Sequence, residues 1–357
     1  MRVLHLARPA AGGMLRYLQE VLPRLQAEGV EGAVACPVEM HPALAPFPTL
    51  SWEVSDRPHP WRDLRCALQA WRWQGEYDLF HAHGLRAAAV LALAPPSRWV
   101  FTLHNLPPTH LSPLVRWLLS RAARSAGRIL AVSRAVQEGW LRHFPFSAPR
   151  CAVIPGGVDV QAIHPSGMDP LAARRQWNLP EEAPVALCVA RLMEDKGIDV
   201  LVRALACVPA WYVLEVGEGP QRHALLQLAS SIGVGERVRF TGYLPLLDAA
   251  WAACDVAVVP SRREGLGLFA LEAMAAEKPV IATRTGGLAE VVLPGETGWL
   301  VPPDDPAALA EGLQQALAQR ARWSEMGRRG RAHVRQHYCW EHTAQRLVEI
   351  YRSLLSR

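Results

Sequence analysis

The stretch Val256-Ala257-Val258-Val259-Pro260-Ser261-Arg262-Arg263-Glu264-Gly265-Leu266-Gly267-Leu268-Phe269-Ala270-Leu271-Glu272-Ala273-Met274 decides the fold. Its first four residues read as a buried strand, Pro260 to Gly267 as a turn, and Leu268 onward as a helix. A strand, a glycine loop and a helix in that order form a phosphate-facing α/β unit. Gly265 and Gly267 let the backbone approach a ligand, and the N–H groups of the first helical turn form an anion site aided by the helix dipole. Glu264 falls in the loop and Glu272 lies within the helix, in reach of hydroxyl groups beside that anion. Two glutamates at this separation mean little alone; their place around the loop gives them chemistry.

A second constellation, Val189-Ala190-Arg191-Leu192-Met193-Glu194-Asp195-Lys196-Gly197, also follows a strand end. Arg191 and Lys196 leave the carboxyl edge of the sheet, where ligands of open α/β sheets bind, and two cations there suit a diphosphate. The alternative is a solvated loop in which Glu194 and Asp195 pair the cations. A third piece, Leu214-Glu215-Val216-Gly217-Glu218-Gly219-Pro220, is a strand and a glycine turn for which the purely structural reading is the stronger one.

The same alternation runs along the chain. Val3 to Ala7 is a short strand signal, Gly12-Gly13 a turn, and Leu15, Leu18, Val21, Leu22 and Leu25 share one helix face. Strand-like runs follow at 33–36, 79–81, 99–103, 129–132 and 152–154, then at 185–190, 211–216, 238–240, 256–259, 280–282 and 299–301. Two similar doubly wound parallel domains are expected, with the linker at 155–184 and the hinge at Pro155-Gly156-Gly157. The first domain is placed at 1–160 with the C-terminal helix at about 340–357, and the second at 161–339. A ligand cleft between them is the expected site. Leu347, Ile350, Tyr351 and Leu354 fall at helical spacing in that last helix.

A chain of 357 residues, 50% of them hydrophobic and 20% charged, with mean hydropathy +0.04, is a globular protein and not a solvated chain. No run approaches the ~18 apolar residues of a membrane span. Arg8 and Pro9 interrupt the N-terminal apolar stretch before a signal-peptide core forms, so a cytoplasmic protein is expected. Seven scattered cysteines without a Cys-x-x-Cys pair argue against disulfides and structural zinc. The net charge of +5 comes from the first half: residues 1–170 carry 17 basic and 12 acidic side chains. No nucleic-acid-binding signature accompanies it.

With these motifs in order, the chain resembles a retaining glycosyltransferase of family 4 with the GT-B fold. The matching pieces are Gly12-Gly13, Phe80-His81-Ala82-His83-Gly84, Thr102-Leu103-His104-Asn105, Ala131-Val132-Ser133, Ile154-Pro155-Gly156-Gly157-Val158-Asp159, Arg191 to Gly197, Gly217 to Pro220, the segment from Glu264 to Glu272, and Gly286-Gly287. The resemblance implies two Rossmann-like domains facing a central cleft, with the C-terminal helix returning to the first domain. It implies a nucleotide diphosphate sugar as donor and no cofactor. The acceptor is a glycan, a lipid-linked sugar or a small molecule, as in polysaccharide and glycoconjugate biosynthesis.

Residue by residue, it implies that Arg191 and Lys196 hold the diphosphate, Glu272 the ribose hydroxyls and Glu264 the donor sugar. Backbone N–H groups of Gly265, Leu266, Gly267 and Leu268 assist, and Gly12 and Gly13 approach the phosphates. His104 contacts the sugar near the reaction centre, and the base pocket lies near Arg191, Gly217, Tyr243 and Leu244. His81 and His83 are candidate acceptor contacts, beside a structural reading. Four departures stand out: Gly156 for Asn, Ala190 for Gly, Glu277 for Gly and Ala289 for Pro. None removes a charged group the chemistry requires.

No Asp-x-Asp occurs, so Arg191, Lys196 and a helix N-terminus are expected to replace a metal at the leaving group, each such donor being worth ~3 kcal/mol. Competing readings are a nucleotide-sugar epimerase of the same fold and a non-catalytic nucleotide-sugar-binding protein. Trp61, Leu64, Leu68 and Trp71 are expected to form a core stripe and not a sugar-stacking platform. Leu111 to Arg124, with Arg116, Arg121 and Arg124 among apolar residues, reads as a solvated amphipathic helix, with peripheral contact to the inner membrane surface as the alternative.

Overall fold

A computed structural model describes residues 1–9, 12–163 and 167–356. The chain divides at Gly156 and Gly157: one unit is Met1–Gly156 with the segment from Trp340 onward, the other Gly157–Cys339.

The first unit is built on seven strands: β1 (Arg2–Ala7), β2 (Glu31–Cys36), β3 (Thr49–Ser51), β4 (Leu79–His83), β5 (Trp99–Leu103), β6 (Arg128–Ala131) and β7 (Cys151–Val153). They pair in parallel in the order β3-β2-β1-β4-β5-β6-β7. Helices cover such a sheet on both faces, which is why its strands read as continuous apolar runs. The helix Gly13–Ala27 buries Leu18, Val21, Leu22 and Leu25, as its spacing predicts. The helix Trp340–Leu355 belongs to this unit: Glu341 pairs with Arg24 at 2.7 Å, and the Thr343 hydroxyl donates to the Pro155 carbonyl at 2.8 Å. Strand β3 has no counterpart in the sequence reading. It is three residues long, follows Pro46 and Pro48 and sits at the sheet edge, where proline is tolerated.

One expectation is reversed. The helix Pro60–Arg72 turns Trp61, Leu64, Leu68 and Trp71 outward, 77, 40, 46 and 54% exposed, and buries Asp63, Cys66, Ala67 and Ala70. The two faces have the same period, so spacing does not choose between them. The choice is made by Asp63, which is buried against the Arg86 guanidinium at 2.5 Å, and by small residues that permit close packing.

The second unit carries β8 (Val185–Val189), β9 (Tyr212–Val216), β10 (Val238–Gly242), β11 (Val256–Val259), β12 (Val280–Thr283) and β13 (Gly298–Val301), in the order β10-β9-β8-β11-β12-β13. All pairs are parallel. Its core gathers Leu201, Trp211, Leu225, Ile281, Leu313 and Met326.

Much of the expected linker is folded into this unit. The helix Pro170–Gln176 lies within it, and buried Arg174 donates to the carbonyls of Ala253, Pro180, Glu181 and Ala183 while pairing with Asp255 at 2.8 Å. A charged residue becomes an interior one only when its donors are met, which the local sequence does not display. Residues 164–166 of that stretch lie outside the described residues. Strand order reverses direction between β1 and β4 and between β8 and β11, and such switch points are where open α/β sheets bind ligands.

Candidate functional site

In the second unit the two strong sequence motifs leave adjacent strands at the switch point, β8 and β11. Their loops are laced together. Arg262 grips Asp199 with two bonds of 2.8 Å, reaches Asp304 at 2.7 Å and donates to the Glu194 carbonyl at 2.7 Å. The Asp195 carbonyl accepts from the backbone N–H of Arg262 at 2.9 Å. The Asp199 carboxyl, though partly desolvated, is held below its ordinary range by this guanidinium. Gly197 adopts a left-handed turn, φ 64°, where a Cβ would stand 2.1 Å from the Pro260 carbonyl oxygen. Only glycine permits that approach.

This lacing carries Lys196 to Glu264: Nζ and Oε2 are 2.7 Å apart, both side chains less than a fifth exposed, and the Ser261 hydroxyl donates to the same oxygen at 3.2 Å. The two residues assigned separately to phosphate and to sugar thus form one pair. Arg191 is exposed and, among the described residues, makes no ion pair, which leaves its guanidinium open to an anion. Gly267, at φ 96°, starts the helix Leu268–Ala275 with no side-chain cap, so its first-turn N–H groups meet no capping side chain. Gly287 packs so tightly on this loop that a Cβ there would lie 2.6 Å from the Gly265 carbonyl oxygen. Glu272 is half-buried on the helix.

Where the base pocket is expected, glycines bring strand ends into close contact. A Cβ on Gly217 would stand 1.8 Å from the Ala190 carbonyl oxygen, and the Gly217 N–H donates to the Gly242 carbonyl at 3.0 Å. The ends of β8, β9 and β10 are therefore held together next to Ala190, the residue before exposed Arg191, with Tyr243 75% exposed and Leu244 half-buried after Gly242.

In the first unit Gly12, at φ 68°, opens the helix Gly13–Ala27, again with no side-chain cap. Beside it the strand ends bring four imidazoles together. His5 pairs with His81 and Ala7 with His83 in the β1–β4 register. His5 Nδ1 lies 3.0 Å from His83 Nε2, and His83 Nδ1 lies 3.1 Å from His104 Nε2. His81 meets the Tyr351 hydroxyl at 2.5 Å and the Thr102 hydroxyl at 2.7 Å, and stacks on His83 with centroids 4.2 Å apart.

Burial pushes His5 and His104 down to about 3 and holds His81 and His83 well below the imidazole range. All four rings are neutral near pH 7, so each offers one donor and one acceptor nitrogen. Of the two readings of His81 and His83, the structural one fits their burial. Both are wholly buried with their nitrogens engaged inside the protein, so neither presents an atom to an acceptor. His5, His81 and His83 stand close enough to share a cation, but doing so would break these bonds.

Two residues were not singled out by the sequence. Arg262 is one of two consecutive arginines, and its partners Asp199 and Asp304 lie far from it along the chain. His5 appears only as a strand residue, and its role depends on the register of β1 with β4.

Comparisons with known proteins bear on the family and the fold. The family model described as Glycosyltransferase Family 4 matches residues 11–162, and that of Glycosyl transferases group 1 matches residues 171–333. D-inositol 3-phosphate glycosyltransferase of Corynebacterium urealyticum is 34% identical over 309 residues, covering 78% of this chain and 72% of that protein. A GDP-mannose-dependent alpha-(1-6)-phosphatidylinositol monomannoside mannosyltransferase of Mycolicibacterium smegmatis is 33% identical, covering 77% of each chain. Among solved structures, sucrose-phosphate synthase from Thermosynechococcus elongatus superposes with TM-score 0.84 at 27% identity over all of both chains. Anabaena HepE in complex with UDP-glucose superposes with TM-score 0.86 at 25% identity over 99% of this chain and all of that one. Two doubly wound parallel sheets, these sequence relatives and these structural neighbours establish that the chain belongs to the family 4 glycosyltransferases of the GT-B fold.

Proposed function

We propose that this glycosyltransferase moves a sugar from a UDP- or GDP-sugar to a glycan, a lipid-linked sugar or a small-molecule acceptor, with retention of anomeric configuration and without a metal. The observation that carries the reading is the convergence, in the second unit, of an open Arg191, the Lys196–Glu264 pair and an uncapped helix N-terminus at one sheet edge. Breaking the bond between the sugar and the diphosphate puts negative charge on the leaving oxygens. Arg191, Lys196 and the N–H groups of the Gly267 turn offset it, and preorganised donors of this kind are each worth ~3 kcal/mol. Lys196 then exchanges part of its contact with Glu264 for phosphate, which frees Glu264 to accept from sugar hydroxyls.

In the front-face course that goes with retention, the leaving phosphate oxygen takes the acceptor's proton as the new glycosidic bond forms. Glu272 binds the ribose. Arg191, Gly217, Tyr243 and Leu244 border the base. Donors named for relatives, GDP-mannose in one and UDP-glucose in another, support the donor class.

Membrane contact completes the proposal. The helix Pro113–Ser125 exposes Leu114 and Trp117, 62 and 56%, among Arg116, Arg121 and Arg124, and the helix Pro60–Arg72 exposes two further tryptophans beside Arg62, Arg65 and Arg72. Tryptophan with arginine suits the interface of an anionic bilayer, here the cytoplasmic face. No described helix is long and apolar enough to cross it.

The test is a thermal-shift panel of UDP, GDP, ADP and dTDP with their sugars in EDTA, on the parent and Glu272→Ala. A base-selective shift lost in the variant, followed by transfer in EDTA with the anomer retained, is expected. No shift with any donor would refute the reading. Conversion of donor alone to an isomeric nucleotide sugar would point to an epimerase, and binding without turnover to a sensor.

A further inference from the structure

We propose that His83 and His5 fix His104 in its Nδ1–H tautomer, so that His104 presents a hydrogen-bond donor, and not an acceptor, at the end of β5. A neutral imidazole carries one donor and one acceptor nitrogen, so a chain of them has a direction. The chain runs from His5 Nδ1 to His83 Nε2 at 3.0 Å and from His83 Nδ1 to His104 Nε2 at 3.1 Å. Its inner end sets the direction. His5 Nε2 is buried with no partner, beside Gly32 and the Leu22 side chain. With a proton there, the molecule would bury an N–H without an acceptor; with the proton on Nδ1, it buries only a bare lone pair, the milder fault.

His5 therefore donates to His83, His83 donates to His104 Nε2, and the His104 proton must sit on Nδ1. Nδ1 of His104 has no protein partner among the described residues. The other groups around the chain do not reverse it. His81 is engaged with Tyr351 and Thr102, and Tyr17 meets His83 and His104 through its ring. Arg8 disfavours a second proton on His104, and among the described residues no carboxylate pairs with any of the four rings. His83 and His5 are thus positioning residues that act through His104. A donor there matches an oxygen of the sugar or of the leaving phosphate. That last step rests on the function proposed above, whereas the tautomer does not.

The experiment is a long-range 1H–15N correlation spectrum of the full chain labelled with 15N-histidine at pH 7.5, with His104 assigned by loss of its signals in His104→Asn. The parent is expected to show His104 protonated at Nδ1 and bare at Nε2. In His83→Phe the proton is expected to move to Nε2, the tautomer an isolated imidazole prefers. A parent His104 protonated at Nε2 overturns the proposal without any variant, and so does an unchanged Nδ1–H in folded His83→Phe. In turnover, His104→Asn keeps an N–H donor near the same place and is expected to stay within about tenfold of the parent, while His104→Ala falls by about 10²-fold. Equal turnover in both variants, with the spectrum as expected, removes His104 from the transfer reaction and leaves the tautomer standing.

Discussion

Mild acid should open the first unit before the second. His5, His81 and His83 are fully buried and neutral, so the unfolded chain binds protons that the folded unit refuses. For a group whose folded pKa is depressed, the stabilisation is present above the unfolded value near 6.5 and disappears as pH falls toward the folded value. For His5 that window runs from 6.5 down to about 3. One unit below its unfolded pKa, each such ring costs about 1.4 kcal/mol, and with His104, also pushed down to about 3, the four cost about 5 kcal/mol at pH 5.5 relative to pH 7.5. That is a large share of the ~5 to 15 kcal/mol of an ordinary domain.

Glu215 in the second unit works in the opposite sense. Burial raises its carboxyl, so its stabilising share is complete at low pH and lost as pH rises through the folded value. Hydrogen exchange corrected for intrinsic rates, followed on β4 and β9 between pH 7.5 and 5, reads the two units separately. Loss of protection on β4 first is expected, and His5→Phe should reduce the slope by about one quarter. A slope for β4 smaller than a single ring supplies, about 1.4 kcal/mol per pH unit, would refute the reasoning, as would earlier opening of β9.

Gly197→Ala must move the loops after β8 and β11 apart by about 1 Å to relieve the 2.1 Å approach to Pro260, and displacement of that size costs about 10²-fold in turnover; parent-like kcat and Tm would contradict the packing described. Arg262→Lys replaces a bidentate grip on Asp199 and should cost about 1 to 2 kcal/mol, less than a dry pair because all three side chains are partly solvated. Urea unfolding reads the stability loss, and calorimetry should show weaker nucleotide binding. Glu215→Gln should flatten the stability profile of the second unit from near pH 4.5 upward, and an unaltered profile in denaturant titrations would mean that Glu215 is not the protonated group.

The sheets were legible because strands covered on both faces leave continuous apolar runs, and the runs 99–103 and 256–259 coincide with β5 and β11. The motifs of the second unit were legible for the same local reason: strand, glycine turn and helix adjoin in sequence, which places Arg191, Lys196, Glu264 and Glu272 at or just beyond strand ends. Partners that lie far apart were not legible. The outward face of the helix Pro60–Arg72 follows from Asp63 meeting Arg86, the joined loops from Arg262 meeting Asp199 and Asp304, and the direction of the histidine chain from an unpartnered nitrogen on β1. By itself the sequence determined that two parallel α/β units would form, with strand, glycine turn and helix in sequence at their strand ends, because periodicity and turn chemistry are local. Tertiary structure decided that Lys196 pairs with Glu264, that His81 and His83 are interior and that His104 is held by His83, because hydrogen bonds and burial depend on which strand ends become neighbours.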